Sequence, residues 1–210
     1  MSKIPNWASD ALVTTNPAII KKIKETHEAG KDLLGAFFPM PQELRGIYTG
    51  ATRIPNGQMV NAWREIDGVI IPMTDEEQAS LVEKYGAKDW YDWSVANWGT
   101  KWDADIHALD ITTDEDGTER AHVLFNTAWA PPARWFVQLI EQYPEGRTEL
   151  AYAEGGMSFF GLIAYEDGHL VEEWQSEAFW GEQPEDEDAF VEPTTICQAH
   201  LDRYSLHVGG

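Results

Sequence analysis

Three residues alternate at period two: Asp103, Asp105 and His107. On an extended strand their side chains share one face, and two carboxylates with an imidazole are ligands for a divalent metal. No second His or Cys cluster supports that reading, so these residues are only weak metal candidates and a strand edge is the simpler account. A second constellation is aromatic: Trp90, Trp93, Trp98 and Trp102, with Trp129 and Trp135 further on. Indole faces can stack bases of a single strand or a small ring ligand. The competing reading is packing, because large aromatics bury much area in a core. The third is acidic. Glu172, Glu173, Glu177, Glu182, Glu185, Asp186, Glu187 and Asp188 crowd a segment that has no lysine or arginine between Arg147 and Arg203.

The charge is distributed unevenly. The 210 residues hold 15 Lys+Arg against 36 Asp+Glu, a formal charge of −21. Residues 1–147 contribute 14 basic and 22 acidic groups, net −8; residues 148–210 contribute 1 and 14, net −13. A protein that grips duplex phosphates needs basic patches to release counterions, and an anionic membrane surface needs them too; both partners are disfavoured. Disorder is disfavoured as well, since 43% of residues are hydrophobic and 12% aromatic.

Other chemistry is thin. Ser-His-Asp, phosphate-cradling and zinc-finger spacings are absent, and Gly155-Gly156 reads as a hairpin turn, so no cofactor is expected. His107 and His122 fall on adjacent strands and are read as sheet residues. The lone Cys197 excludes an intramolecular disulfide and reads as a small hydrophobe. Met1 to Trp7 has no apolar signal region. The run Val69-Ile70-Ile71-Pro72-Met73 is too short for a bilayer. A cytoplasmic chain is expected.

The elements that would position these groups follow from local pattern. Asp10–Thr15 reads as a strand. Asn16-Pro17 starts a helix with Ile19, Ile20 and Ile23 on one face, ended by Gly30. Residues 31–73 lack sustained periodicity. Thr74-Asp75-Glu76-Glu77 is a capping box, opening a helix with Leu81, Val82 and Tyr85 on one face; a second helical piece covers Asp89–Trp98. Asp105–Thr113 and Arg120–Thr127 form a hairpin about Asp114–Gly117, with Ile106 facing Phe125 and Ala108 facing Val123. Pro131-Pro132 opens a helix striped with Trp135, Phe136, Leu139 and Ile140. Strands follow at Thr148–Ala153, Met157–Tyr165 and Leu170–Trp174. Thr194–Val208 is apolar enough to pack back on the body. The class is α+β, a ferredoxin-like βαββαβ sandwich with a Trp-rich insertion at about 31–103 and an antiparallel C-terminal extension. Residues 1–175 form a single domain, and 176–210 an acidic segment on or near it.

Several ordered motifs resemble the YubB-type ferredoxin-like proteins of conjugative plasmids and phages. They are Pro5-Asn6-Trp7, Phe38-Pro39-Met40-Pro41 with Glu43-Leu44, Trp90-Tyr91-Asp92-Trp93, Asn97-Trp98-Gly99-Thr100-Lys101-Trp102-Asp103, Phe125 through Pro132, and Tyr152 through Met157. The resemblance spans roughly residues 5–175. Cysteines that often occur in that family at the positions of Ala8, Ser94 and Phe160 are replaced here. It implies a mobile-element accessory protein with a ferredoxin-like fold and no catalytic residues to transfer.

The leading expectation joins charge and resemblance. The chain is a non-enzymatic accessory protein whose acidic surface, at the eight carboxylates named above, imitates nucleic acid and binds a basic surface of a host protein, inhibiting a defence or nucleic-acid-processing factor. The alternatives are a small-molecule or metal-dependent enzyme with the Trp-rich insertion as a pocket wall, and single-strand binding through exposed aromatics.

Overall fold

The computed structural model describes residues 6–54, 57–182 and 191–207. Strand β1 (Trp7–Thr14) leads into helix α1 (Pro17–Glu28). Asn16 makes that junction. Its Oδ1 accepts from the amides of Ala18 and Ile19 at 2.9 and 3.1 Å, while its Nδ2 donates to the carbonyls of Tyr143 and Glu145. One side chain thus caps a helix and ties it to a loop 127 residues away. Ile19, Ile20 and Ile23 are buried as their spacing predicts.

Residues 31–73 hold more order than their pattern suggested. They contain the short helix α2 (Leu33–Phe37), a 3₁₀ turn at Gln42–Leu44, and an antiparallel sheet of β2 (Ile47–Arg53), β3 (Met59–Ile66) and β4 (Val69–Pro72). This small sheet is open to solvent on much of its surface, so apolar alternation is weak, and a register shift between Thr49 and Thr52 breaks the period-two rule further.

Helix α3 (Asp75–Tyr85) carries the expected capping box on Thr74 and Glu77 and ends at Gly86, whose φ of 69° is left-handed. It buries none of its residues, and Val82 is exposed; the Leu81, Val82 and Tyr85 face rests only partly on the body. Helix α4 (Trp90–Asn97) follows.

The main sheet has six strands in the order β5-β6-β1-β7-β8-β9, every pairing antiparallel. Besides β1, it contains β5 (Ile106–Thr113), β6 (Glu119–Ala128), β7 (Arg147–Glu154), β8 (Phe159–Glu166) and β9 (His169–Ser176). Helix α5 (Ala133–Gln142) links β6 to β7 and buries Trp135, Phe136, Leu139 and Ile140. Ile106 pairs with Phe125 as expected, but Ala108 pairs with Leu124 rather than Val123 because the register shifts between Ile106 and Ala108. A one-residue bulge of this kind is invisible to a count outward from the turn.

Both faces of the central strands are buried. On one, Leu12, Val123, Phe125 and Leu150 pack under α1, α2 and α5. On the other, Ala11, Ala151, Phe160 and Leu162 pack under helix α6 (Thr195–Tyr204), through Cys197, Leu201 and Tyr204. The C-terminal segment does fold back, and it turns the sandwich into three layers over β1, β7 and β8. Central strands covered twice read as nearly continuous apolar runs, and β8 (FFGLIAYE) shows this. No helix among the described residues is long and apolar enough to cross a membrane.

Candidate functional site

The aromatic constellation is divided by the fold. Asp89 caps α4, its Oδ1 accepting from the Asp92 amide at 2.8 Å and its other oxygen from the Thr49 hydroxyl. The helix so anchored turns Trp93 inward, where its ring meets that of Trp98 edge-on, with centroids 5.3 Å apart. Trp98 is buried, and its indole N–H donates to the Phe38 carbonyl at 3.0 Å. Trp93 and Trp98 are therefore core, as packing predicts. Trp90 and Trp102 are half-buried. With the edge of Trp98 they wall a cleft of about 200 Å³, whose polar groups include Asp32, Ser94, Asp103 and Arg45. Lys101 also reaches the cleft, with its ammonium 4.3 Å from the Trp102 ring and 5.1 Å from that of Trp129.

Asp103 is the structural centre of this cleft. Asp32 stands at the position that should cap α2, but its side chain makes no cap. Asp103 takes the role from a distant stretch of chain: it accepts from the amides of Leu34 and Gly35 at 2.8 and 2.9 Å, and of Ala104 at 2.9 Å. A Cβ on Gly35 would stand 2.4 Å from the Asp103 carboxylate, so the approach requires glycine. Burial raises the Asp103 pKa; the three amides oppose the shift.

Asp32, freed from capping, sits at the rim. Its pKa is raised to about 6, first by burial, then by a hydrogen bond with the Asp105 carboxyl and the charges of Asp103 and Asp105, against Arg45. The cleft thus carries at its rim one carboxyl, Asp32, that exchanges a proton at about 6 beside an indole wall. It can bind a small ring or a cation, and it can donate or accept a proton.

The metal constellation is not assembled. Strand β5 begins only at Ile106, so Asp103 and Asp105 precede it. Asp103 turns to α2, Asp105 to Asp32, and His107, at the bulge, lines a different cavity. Among the described residues no group of three His, Cys, Asp or Glu side chains could hold an ion. Period two places side chains on one face only while the backbone stays extended. Asp32 and Arg45 were not singled out by the sequence; both lie in segments without periodicity, and no local signal marks them.

The acidic residues lie on the opposite edge of the sheet. Glu172 and Glu173 point to opposite faces of the exposed edge strand β9, and Glu177 and Glu182 follow, all exposed. None of these four is in an ion pair among the described residues; Glu172 accepts from the Trp174 indole at 2.9 Å. Beyond Glu182 the chain returns at Val191. The two limbs are joined by Gly181 N–H donating to the Glu192 carbonyl at 2.8 Å and by a bridge between Trp180 and Pro193, and Trp180 donates to the Gly155 carbonyl. Glu185, Asp186, Glu187 and Asp188 lie outside the described residues.

Comparison with known proteins adds the following. A solved structure described as a protein api92 from Yersinia pseudotuberculosis aligns at 10% identity with a TM-score of 0.43, covering 86% of this chain and 100% of that one. No curated protein matches. Residues 97–194, which run from the end of α4 through β9 to the start of α6, match the family model described as the ferredoxin-like domain in Api92-like protein. The chain is a mixed α/β protein with antiparallel sheets, and it carries a ferredoxin-like domain similar to that of Api92-like proteins.

Proposed function

We propose that this chain is a non-enzymatic accessory protein that binds a basic surface of a host protein through its acidic edge. In the same reading β1, α1, β5, β6, α5 and β7 form the βαββαβ unit, 31–103 is its insertion, and the likeness to YubB-type proteins of plasmids and phages points to a host defence or nucleic-acid-processing factor as the target. The observation that supports it is the exposure of Glu172 and Glu173 on the edge strand β9 and of Glu177 and Glu182 just after it, with no ion pair to any of the four among the described residues. Carboxylates held this way by a rigid scaffold steer a basic partner and lose strength with salt. The bland alternative is an edge kept from pairing by charge.

The test is retention of a host protein by the immobilised full chain. The expected partner is released between about 0.1 and 0.5 M salt, is displaced by duplex DNA, and is lost when Glu172, Glu173 and the acidic residues at 185–188 are changed to Lys. Retention indifferent to DNA and to those changes would sink the reading.

A second reading, a small-molecule site in the Trp90–Trp102 cleft, is favoured by the Asp32 carboxyl at the rim of the indole walls. For single-strand binding, by contrast, the support is one ammonium, Lys101, between two exposed or half-exposed indoles.

A further inference from the structure

A substantial cavity lies on the α6 face of the sheet. It has a volume of about 470 Å³ and opens between the C-terminal end of α6 and the uncovered strands β5 and β6. In a chain with 36 acidic residues in 210, no carboxylate among the described residues lines it. Its polar groups are Ser9, His107, Asn126, Ser205 and His207, with the Trp7 ring at one side. His107 reaches it through the β5 bulge. The Ser9 hydroxyl already accepts from the His207 amide at 3.2 Å. The Asn126 carboxamide makes no hydrogen bond among the described residues, so a paired donor and acceptor face the cavity uncommitted.

A second cavity, of about 350 Å³, follows on the same face. The lining steps from Ala108 to Asp110, from Leu124 to His122, and from Ser205 to Arg203. On β5 and β6 that is two residues along a strand, about 7 Å. Its character is different. Arg120 and Arg203 line it, with His122, whose Nε2 stands 3.0 Å from the Tyr204 carbonyl and therefore carries a proton toward it. Arg203 lies over the Tyr204 ring at 5.1 Å and is in no ion pair among the described residues. Of the two acids, Glu149 is committed to Arg147 at 2.6 Å and to the Tyr204 hydroxyl at 2.9 Å; Asp110 faces His122 across the strands.

We propose that the two cavities form one binding site for a mononucleotide. The first takes the base, its flat face against Trp7 and the imidazoles and its edge on the Asn126 amide, which offers the donor–acceptor pair that a base edge requires. The second takes the phosphate on the guanidinium of Arg203, assisted by Arg120. The volume matches ordinary ligand sites. The charge around the site selects a monomer over a polymer. Asp110 and Glu149 line the phosphate end and Asp114 pairs with Arg120 at 3.6 Å, in a chain of net −21, and a longer strand would lay its further phosphates against them. The site is separate from the acidic edge and adjoins the indole cleft, where the rings of Trp7 and Trp102 meet with centroids 5.8 Å apart.

Isothermal titration of the full chain with AMP, CMP, GMP and UMP, their nucleosides, inorganic phosphate and an oligothymidylate tests this. At least one mononucleotide is expected to bind saturably with a Kd below about 1 mM, about tenfold or more tighter than its nucleoside. Arg203→Gln removes that tenfold difference, and Asn126→Ala weakens nucleoside and nucleotide alike by about tenfold. Both side chains lie at the surface of the site, and unchanged thermal melts of the variants confirm that they fold. The proposal is overturned if no mononucleotide binds, if phosphate alone binds as tightly, if the oligonucleotide binds more tightly per chain, or if folded variants bind as the parent does.

Discussion

The Thr127 hydroxyl oxygen stands 2.5 Å from a carboxyl oxygen of the fully buried Asp10 and 2.9 Å from the carbonyl oxygen of Ala130. One hydroxyl has one proton and cannot donate to both. The contacts are satisfied together when Asp10 is a neutral acid that donates to Thr127, which in turn donates to Ala130. The other Asp10 oxygen has no partner, tolerable for a neutral carbonyl and severe for a carboxylate. Burial pushes the Asp10 pKa well above its usual value of 3.8, against the Thr127 contacts, in agreement with the geometry.

A raised folded-state pKa makes Asp10 a pH-linked weakness. Its full contribution to stability is present below the unfolded value of 3.8, and is lost as pH climbs through the higher folded value. Asp10→Asn removes the titration. The variant is expected to match the parent near pH 4 and to exceed it by about 1–3 kcal/mol at pH 8. Urea midpoints at the two pH values check this, and equal gaps at both would contradict it.

Asp103 is expected to hold the cleft together. Asp103→Ala orphans the amides of Leu34, Gly35 and Ala104 and should destabilise the fold by about 2–4 kcal/mol. Gly35→Ala should do comparable harm by pushing the carboxylate away. Denaturant melts measure the loss, and near-ultraviolet dichroism should show the Trp98 environment loosening with it.

The Asp32 and Asp105 pair yields a titration test. Carboxyl carbon shifts should place the Asp32 midpoint at about 6. Asp105→Asn removes a neighbouring negative charge and should lower that midpoint. Arg45→Gln removes the opposing cation and should raise it. Because the folded value is raised, this group also favours the fold below the ordinary carboxylate range and loses that contribution as pH passes about 6. A midpoint that ignores both substitutions would show that the groups are not in contact.

Helix α6 is held by a polar contact inside an apolar interface. The Tyr204 hydroxyl donates to buried Glu149 at 2.9 Å, and burial next to that carboxylate raises the tyrosine's pKa. Tyr204→Phe keeps the ring and drops the bond, so a loss of about 1–2 kcal/mol is expected. Hydrogen exchange should quicken in α6 more than in α1 or α5.

Where neighbours in sequence are neighbours in space, the chain alone was informative. The Asn16 cap, the Thr74–Glu77 box, the Asp114–Gly117 hairpin and the α5 stripe each depend on residues within a turn or two of one another, and helix and strand periodicity report them directly. The uneven charge is likewise a property of the chain itself. The structure decided everything that joins distant segments. It gave the cap of α2 to Asp103 instead of Asp32, because α2 is five residues long and is fixed by what packs on it rather than by its own ends. It inserted a bulge at His107 that scattered a face predicted by alternation. It buried Trp93 and Trp98 in the core and left Trp90 and Trp102, with the edge of Trp98, as the walls of a cleft. It buried Asp10, which raises its pKa, and set Arg120, of one strand, and Arg203, of α6, around one cavity. Composition counts charges and rings, but their ionisation and their company depend on burial and on contacts between residues far apart in the chain, which only the packed fold supplies.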